Sequence, residues 1–284
     1  MSSIRFCKFH GFGNDYIVIE RDRIPASGSL PDLAVKMCER NTGVGADGIA
    51  VLEKSVDDDA DYFCEIVNPD GSIAGFSGNG TRCAVAYLHY KNLWLDAGLR
   101  LKTRSGIKTY RLIETVDEGH YIFEAEIGKP EFASNRIPVE REHSEVVTDN
   151  EIVVDGRRFL FSAVNVGNPV ACVFLDDFDL DWRRYGRAME KHEMFPERAN
   201  IVFVRVVDRE NIELRIWERG AGETSASGTC SGGAAVLSAF TGKTGRQVSV
   251  LSPGGVTEVD WREDDEILLT GRADLAFCGE WPVD

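Results

Sequence analysis

Two short stretches, SGNGTRCAVAYL beginning at Ser77 and SGTCSGGAAVL beginning at Ser227, stand 150 positions apart with similar surroundings. They belong to an ordered series of echoes. GNDYIV at Gly13 is answered by GNPVACV at Gly167, ERN around Arg40 by ERAN around Arg198, and EIVN before Ser77 by RIWE before Ser227. Asn68 stands nine residues before Ser77 and Glu218 nine before Ser227, while Ala84 and Ala234 take matching places in the segments that follow. The offsets of 154, 158 and 150 differ only as loop insertions allow. A long-period internal repeat constrains a fold more than any local propensity, because each half must be a supersecondary unit of the same kind. The pattern predicts two similar halves with a boundary near residue 125; the domains expected are residues 1–125 with a tail of about 273–284, and residues 126–272.

Strand-like runs dominate both halves, among them IRFCKF, YIVIE, GIAVLE, FCEIVN, FLFSAV, ACVFLD, IVFVRVV and IELRIWE, rich in β-branched and aromatic residues. Helix candidates are few: LPDLAVKMCER, TRCAVAYLHYKNL, DWRRYGRAMEKH and GGAAVLSAFTG. Strands and helices do not alternate regularly, which favours a mixed α+β architecture over a doubly wound parallel sheet. The segments after Ser77 and Ser227 are small and apolar nearly all round, so each suits a helix threaded through the centre of its half. Helix N-termini carry unsatisfied N–H groups and the positive end of the peptide dipole. Two of them facing across an interdomain cleft would hold an anion such as a carboxylate.

Composition removes several alternatives. A net charge of −15 would repel a phosphate backbone, so no nucleic-acid partner is expected. No run of eighteen apolar residues and no leader-like N-terminus occur, which predicts a cytoplasmic protein that does not enter a membrane. Seven scattered cysteines, without a C-x-x-C pair or neighbouring histidines, predict reduced, buried thiols, no disulfide and no metal site. GVGADG at Gly43 matches a dinucleotide fingerprint in letters only, because a helix candidate precedes it and a strand follows, the reverse of the required context.

The motifs HGFGNDY, NTGVGADG, NPDGS with SGNGTRCA, GNP, GRAMEKHEMFPERANIVFV, ERGAGETSASGT, SPGG and GRADLAF, in that order over nearly the whole chain, resemble the diaminopimelate epimerase family. The resemblance implies two pseudo-symmetric domains, each a mainly antiparallel sheet or barrel wrapped round a central helix, with the active site in the cleft and no cofactor. It also implies a small-molecule amino-acid substrate whose α-carbon is inverted by two acid–base groups. A homodimer would be compatible with the family, although neither repeats nor composition address it. The family's two catalytic cysteines correspond to Ser77 and Ser227, and Val170 stands where the family carries an imidazole. By resemblance, Glu218 joins the two serines as a catalytic candidate. Asn14, Asn68, Asn168 and Asn200 would hold the substrate's polar groups, Gly78, Asn79, Gly228 and Thr229 its α-carboxylate, and Arg219 a distal carboxylate. A hydroxyl is a far weaker acid than a thiol. Two competing expectations follow: a diverged isomerase or dehydratase using the single base Glu218, or a non-catalytic amino-acid-binding protein. As a bland alternative, serine is a preferred helix N-cap, and Asn14 and Asn168 follow glycines as turn residues do. His10 reads as a turn histidine rather than a base.

Overall fold

The computed structural model describes residues 2–25, 28–140 and 146–283. It divides into two compact units, Met1–Glu126 with Thr270–Asp284, and Ile127–Leu269. In chain order the first contains β1 (Ser2–Gly11), β2 (Asn14–Glu20), α1 (Leu30–Cys38), β3 (Gly48–Lys54), β4 (Tyr62–Val67), β5 (Ile73–Ala74), α2 (Gly78–Tyr90), β6 (Gly98–Thr103), β7 (Gly106–Asp117) and most of β8 (His120–Gly128). The second contains β9 (Asn150–Val154), β10 (Arg157–Asn165), β11 (Pro169–Phe174), α3 (Trp182–Glu190), β12 (Asn200–Val206), β13 (Asn211–Glu218), β14 (Gly222–Thr224), α4 (Gly228–Phe240), β15 (Gln247–Ser252), β16 (Gly255–Trp261) and the start of β17 (Ile267–Val283).

The ladders make the repeat explicit. In the first unit β1–β2 is antiparallel, β2–β3 parallel, β3–β4 and β4–β5 antiparallel, β4–β6 parallel and β6–β7 antiparallel. In the second, β10 to β16 pair in the same order with the same directions. Helix α2 packs on β1 to β4, and α4 on β10 to β13, β15 and β16. The eleven residues Gly78–Leu88 of α2 and Gly228–Ser238 of α4 are all buried, so each helix lies at the centre of its sheet as the all-round apolar pattern predicts. The architecture is α+β, with sheet wrapped round a central helix twice over.

The other helix of each unit lies on the outer face of the sheet. Ser29 caps α1 through the Asp32 N–H, with Pro31 in the first turn; Asp181 caps α3 through the Arg184 N–H. Ala34, Met37 and Cys38 of α1 pack with Ile17, Ile19, Ile49 and Val51, and Trp182 and Met189 of α3 with Ala171, Val173, Ile201 and Phe203. Strand alternation then sends the intervening residues of β2 and β11 towards the central helices. Each fully buried aliphatic or aromatic side chain in these layers contributes roughly 1.5–3 kcal/mol relative to exposure.

Two sequence readings change. The ERN and ERAN echoes are not structural equivalents, because Arg40 lies eight residues before β3 begins and Arg198 two before β12. The ladders instead match Gly48 with Asn200, partners of Tyr16 and Val170 respectively. The cysteines are not all reduced either: Cys7 and Cys278 form a disulfide. Antiparallel pairing of β1 with β17 sets them directly opposite, a relation hidden by 271 residues of sequence. The other five cysteines are free and buried, as predicted. GRADLAF forms the middle of the seventeen-residue β17. The GVGADG stretch lies between α1 and β3, with the Gly43 N–H bonded to the Glu39 carbonyl, the helix-then-strand order that argued against a nucleotide loop. Among the described residues no helix is long and apolar enough to cross a membrane, and no cluster of histidine, cysteine or carboxylate side chains could hold a metal ion.

Candidate active site

Each central helix begins with the chain arriving in extended conformation at a serine. Ser77 has φ −137° and ψ 119°, Ser227 φ −149° and ψ 124°. Their side chains then behave differently. The Ser77 hydroxyl accepts the Gly80 N–H at 3.1 Å, closing a helix cap, and lies 2.8 Å from the Tyr16 hydroxyl. The Ser227 side chain caps no backbone N–H; it is hydrogen-bonded to the thiol of Cys230. The cap therefore leaves two N–H groups of the first turn of α2, at Gly78 and Asn79, beyond reach of a serine oxygen, and three in α4, at Gly228, Thr229 and Cys230.

Around Ser77 the polar side chains form a braced chain. Asn14, at the start of β2, donates to Asp47 at 2.8 Å and accepts from the Asn79 amide at 3.1 Å, and Asn79 accepts from the Arg82 guanidinium at 2.9 Å. Arg82 is buried at 1% exposure, which lowers its pKa, and it fixes Asn79 within α2. The Asn14 and Asn79 side chains are thus braced inside their own unit, with one N–H and one lone pair of Asn14 used in these bonds. On the opposite face of β2, Asp15 binds Lys8 at 2.7 Å and Arg40 at 2.9 Å. Burial pushes the Asp15 carboxyl up, but the hydrogen bonds from Arg40 and Lys8 outweigh it and hold the group below its ordinary range. His10 accepts the Gly13 N–H at 3.4 Å, the turn role expected of it.

Asn68 and Glu218 are equivalents: Ile66 pairs with Ala74 of β5 and Ile216 with Thr224 of β14, and Asn68 and Glu218 each stand two residues further on, Glu218 itself pairing with Gly222. Asn68 donates to the Ser72 hydroxyl at 2.9 Å, and Glu218 accepts from the Thr224 hydroxyl at 2.8 Å. The next residue, Arg219, is exposed, its backbone N–H held by the Asn200 side chain at 2.9 Å and its guanidinium 3.3 Å from the Glu197 carbonyl. Asn200 is 4% exposed and so acts on the loop of Arg219. Glu190, buried at the end of α3, braces the same loop through the Gly220 N–H, the Trp217 indole and Arg198. Sequence reasoning gave Glu190 no role, and a lone carboxylate in an amphipathic helix offers no signal. Asn168 lies half-exposed in the turn between β10 and β11, with Gly167 at φ 93° beside it. Thr229 is buried in the first turn of α4.

Neither neighbouring cysteine offers a ready thiolate. Burial pushes the Cys83 thiol well up. It does the same to Cys230, with the Glu218 carboxylate adding to the effect and the Ser227 hydrogen bond opposing it. Val170 is fully buried, and a Cβ on Gly233 would lie 2.9 Å from its Cβ, so this position packs the helix against the strand. Tyr16 was missed: its letter was read only as part of GNDY. Two-residue alternation from Asn14 along β2 would have placed it on the same face as Asn14, towards the central helix.

A duplicated strand–turn–helix unit with a hydroxyl at each helix N-terminus, and a carboxylate in one copy, defines a two-unit protein of the racemase and epimerase fold. Solved structures with this fold include a probable proline racemase from Agrobacterium radiobacter (TM-score 0.75, 15% identity, 99% of this chain and 93% of that one). A hydroxyproline epimerase from Agrobacterium vitis gives a TM-score of 0.70 at 15% identity, with 100% and 93% covered. The diaminopimelate epimerase family model matches residues 6–133 and 162–276, both serine loops included. Among curated relatives, the diaminopimelate epimerase of Caldanaerobacter subterraneus is 38% identical over 279 residues, covering 98% of this chain and 99% of the relative. That of Pelotomaculum thermopropionicum is 36% identical over 283 residues, covering 98% and 99%. The chain belongs to the diaminopimelate epimerase family and is an amino-acid epimerase by class.

Proposed function

We propose that the protein inverts one α-carbon of diaminopimelate, interconverting the LL and meso forms without pyridoxal, with one acid–base group from each unit. The observation that supports this most strongly is the family match across both serine loops, each of which folds into the same strand–turn–helix geometry. In this reading the N-terminal N–H groups of α2 and α4, at Gly78, Asn79, Gly228 and Thr229, bind the α-carboxylate and take up the charge that develops as the α-proton leaves. Arg219, exposed and held in place by Asn200, takes the distal carboxylate, as a planar guanidinium suits. Asn14, Asn68 and Asn168 shape the pocket for the substrate's polar groups. The α-proton passes to a base on one face, the bonding pair stays on the α-carbon and spreads into the carboxylate, and a proton from the opposite face completes inversion. Ser77 serves one face. Ser227 serves the other, with Glu218 as the carboxylate that drives it.

A second reading has support from Glu218 being the one carboxylate among the proposed site residues. A single base acting alone would move or exchange the α-proton without inverting the centre. Incubation with LL- and meso-diaminopimelate in deuterium oxide separates the two. Label at the α-carbon with inversion is expected; label without inversion favours the single base, and no label with either isomer refutes the epimerase reading for this substrate.

A further inference from the structure

We infer that Tyr16 is a positioning residue that carries protons to and from Ser77, and that this phenol is what lets a serine stand where a thiol would otherwise be needed. The inference rests on the epimerase reading above and deepens it.

The geometry around the phenol is built rather than incidental. Tyr16 is 6% exposed. Its ring lies in a slot lined by two glycines: a Cβ on Gly48 in β3 or on Gly80 in α2 would each come within 2.8 Å of the ring edge. The slot aims the hydroxyl at Ser77 Oγ, 2.8 Å away at the N-terminus of α2. At the matching places the second unit has Val170, Asn200 and Cys230, by ladder register and by the constant offset of the two helices. Unit one gives up side-chain volume at two positions to admit an aromatic hydroxyl; unit two keeps the volume and has no hydroxyl there. Packing alone would be served by either solution.

The hydrogen-bond inventory of Ser77 completes the argument. A serine hydroxyl has one proton and two lone pairs. Gly80 N–H occupies one lone pair, leaving one proton and one lone pair to be shared between Tyr16 and whatever lies above the helix end. When Tyr16 donates, the Ser77 proton is left to point outward; when Ser77 donates to Tyr16, a lone pair is left outward instead. The pair thus presents a proton when Tyr16 is protonated and an acceptor when Tyr16 is ionised, which a reaction run in both directions requires at each face.

The charge does not rest on serine. As Ser77 Oγ takes the α-proton, its own proton moves to Tyr16 ionised as phenolate, and the electron pair of the broken C–H bond stays on the substrate. In the reverse direction the phenol protonates Ser77 as Ser77 protonates the carbanion, and phenolate is restored. Burial disfavours an anion in the slot, the positive end of α2 beside it acts the other way, and a phenol is in any case a far stronger acid than an alkyl hydroxyl.

The test is a cycle of Tyr16→Phe and Ser77→Cys, read as inversion of diaminopimelate in deuterium oxide. Tyr16→Phe keeps the ring in its slot, so it is expected to lower kcat for inversion by about 100-fold, within the usual range for an acid–base group, while KM changes by less than about twofold. In the Ser77→Cys background a thiol no longer needs the phenol, and the same substitution is expected to lower kcat by less than about threefold. Equal losses in both backgrounds would assign Tyr16 a purely structural role and overturn the inference, as would wild-type kcat in Tyr16→Phe. Should Tyr16→Phe fail to fold, a fluorinated tyrosine at position 16 keeps shape and hydroxyl but is a stronger acid; an unchanged rate would overturn the relay. A wild-type protein inert towards both isomers would instead refute the epimerase reading and take this inference with it, an outcome distinct from an active wild type indifferent to position 16.

Discussion

The two helix N-termini share one backbone plan and differ at the atoms that matter. Around α2, the serine is held twice, by Gly80 N–H and by the Tyr16 hydroxyl, and Asn79 behind it is locked by Arg82. Around α4, the serine caps nothing, leans on Cys230, and has a carboxylate, Glu218, where the first unit has Asn68. The backbone is common to both; the side chains have been divided between a hydroxyl pair on one side and a carboxylate on the other. A repeated fold supplies two equivalent places for chemistry without requiring the same chemistry in each.

That contrast can be broken in several ways. The largest effect is expected from Glu218→Gln, which removes the only carboxylate of the proposed site: inversion should fall by roughly 10²–10⁴ in kcat. Asn68→Ala at the equivalent place should cost about tenfold or less, as loss of an orienting group rather than a base. Similar losses at both positions in steady-state kinetics would erase the distinction between the units.

Gly80→Ala tests the slot. The new Cβ would lie 2.8 Å from the Tyr16 ring and 3.0 Å from Ile66, so a destabilisation of about 1–3 kcal/mol is expected from urea titration. Tyr16→Val, which copies the second unit, should relieve the strain of Gly80→Ala. Ser77→Ala should lower stability by about 1 kcal/mol because it removes a helix cap. Ser227→Ala should cost less, since that serine caps no N–H group. Equal shifts in melting temperature would show that the caps are alike in solution.

The smallest effect concerns pH. Asp15 has a folded-state pKa below its ordinary 3.8, and Pro169 stands at the matching place in β11. The stabilisation from Asp15 is therefore complete above about pH 4 and is lost as pH falls through the lower folded value, when the carboxylate with its partners Lys8 and Arg40 becomes neutral. Denaturant titrations at pH 5 and pH 3 should show a smaller acid loss for Asp15→Asn than for wild type.

Much of this was legible along the chain. The all-round apolar segments after Ser77 and Ser227 marked the central helices, and the Asn68–Glu218 correspondence, inferred from a constant offset, holds at the level of strand register. The ERN echo failed because three matching letters carry no register, and the equivalence of Gly48 with Asn200 appears only when the parallel ladders are paired. The Cys7–Cys278 bond was invisible for the same reason in an extreme form, since pairing of the first and last strands is a long-range event with no local pattern.

The amino-acid sequence by itself determined the family, the doubled architecture and the two serines, because periodicity, repeat offset and motif order are properties of the chain read in one dimension. Only the tertiary structure decided what each serine can touch. Hydrogen bonds act over about 3 Å and are made by groups far apart along the chain: Tyr16 reaches Ser77 across 61 residues, through a slot left by glycines in two further elements. That partner turns the first serine from a helix cap into half of a hydroxyl pair, while the second, with valine in the tyrosine's place, is left to a thiol and the neighbourhood of a carboxylate.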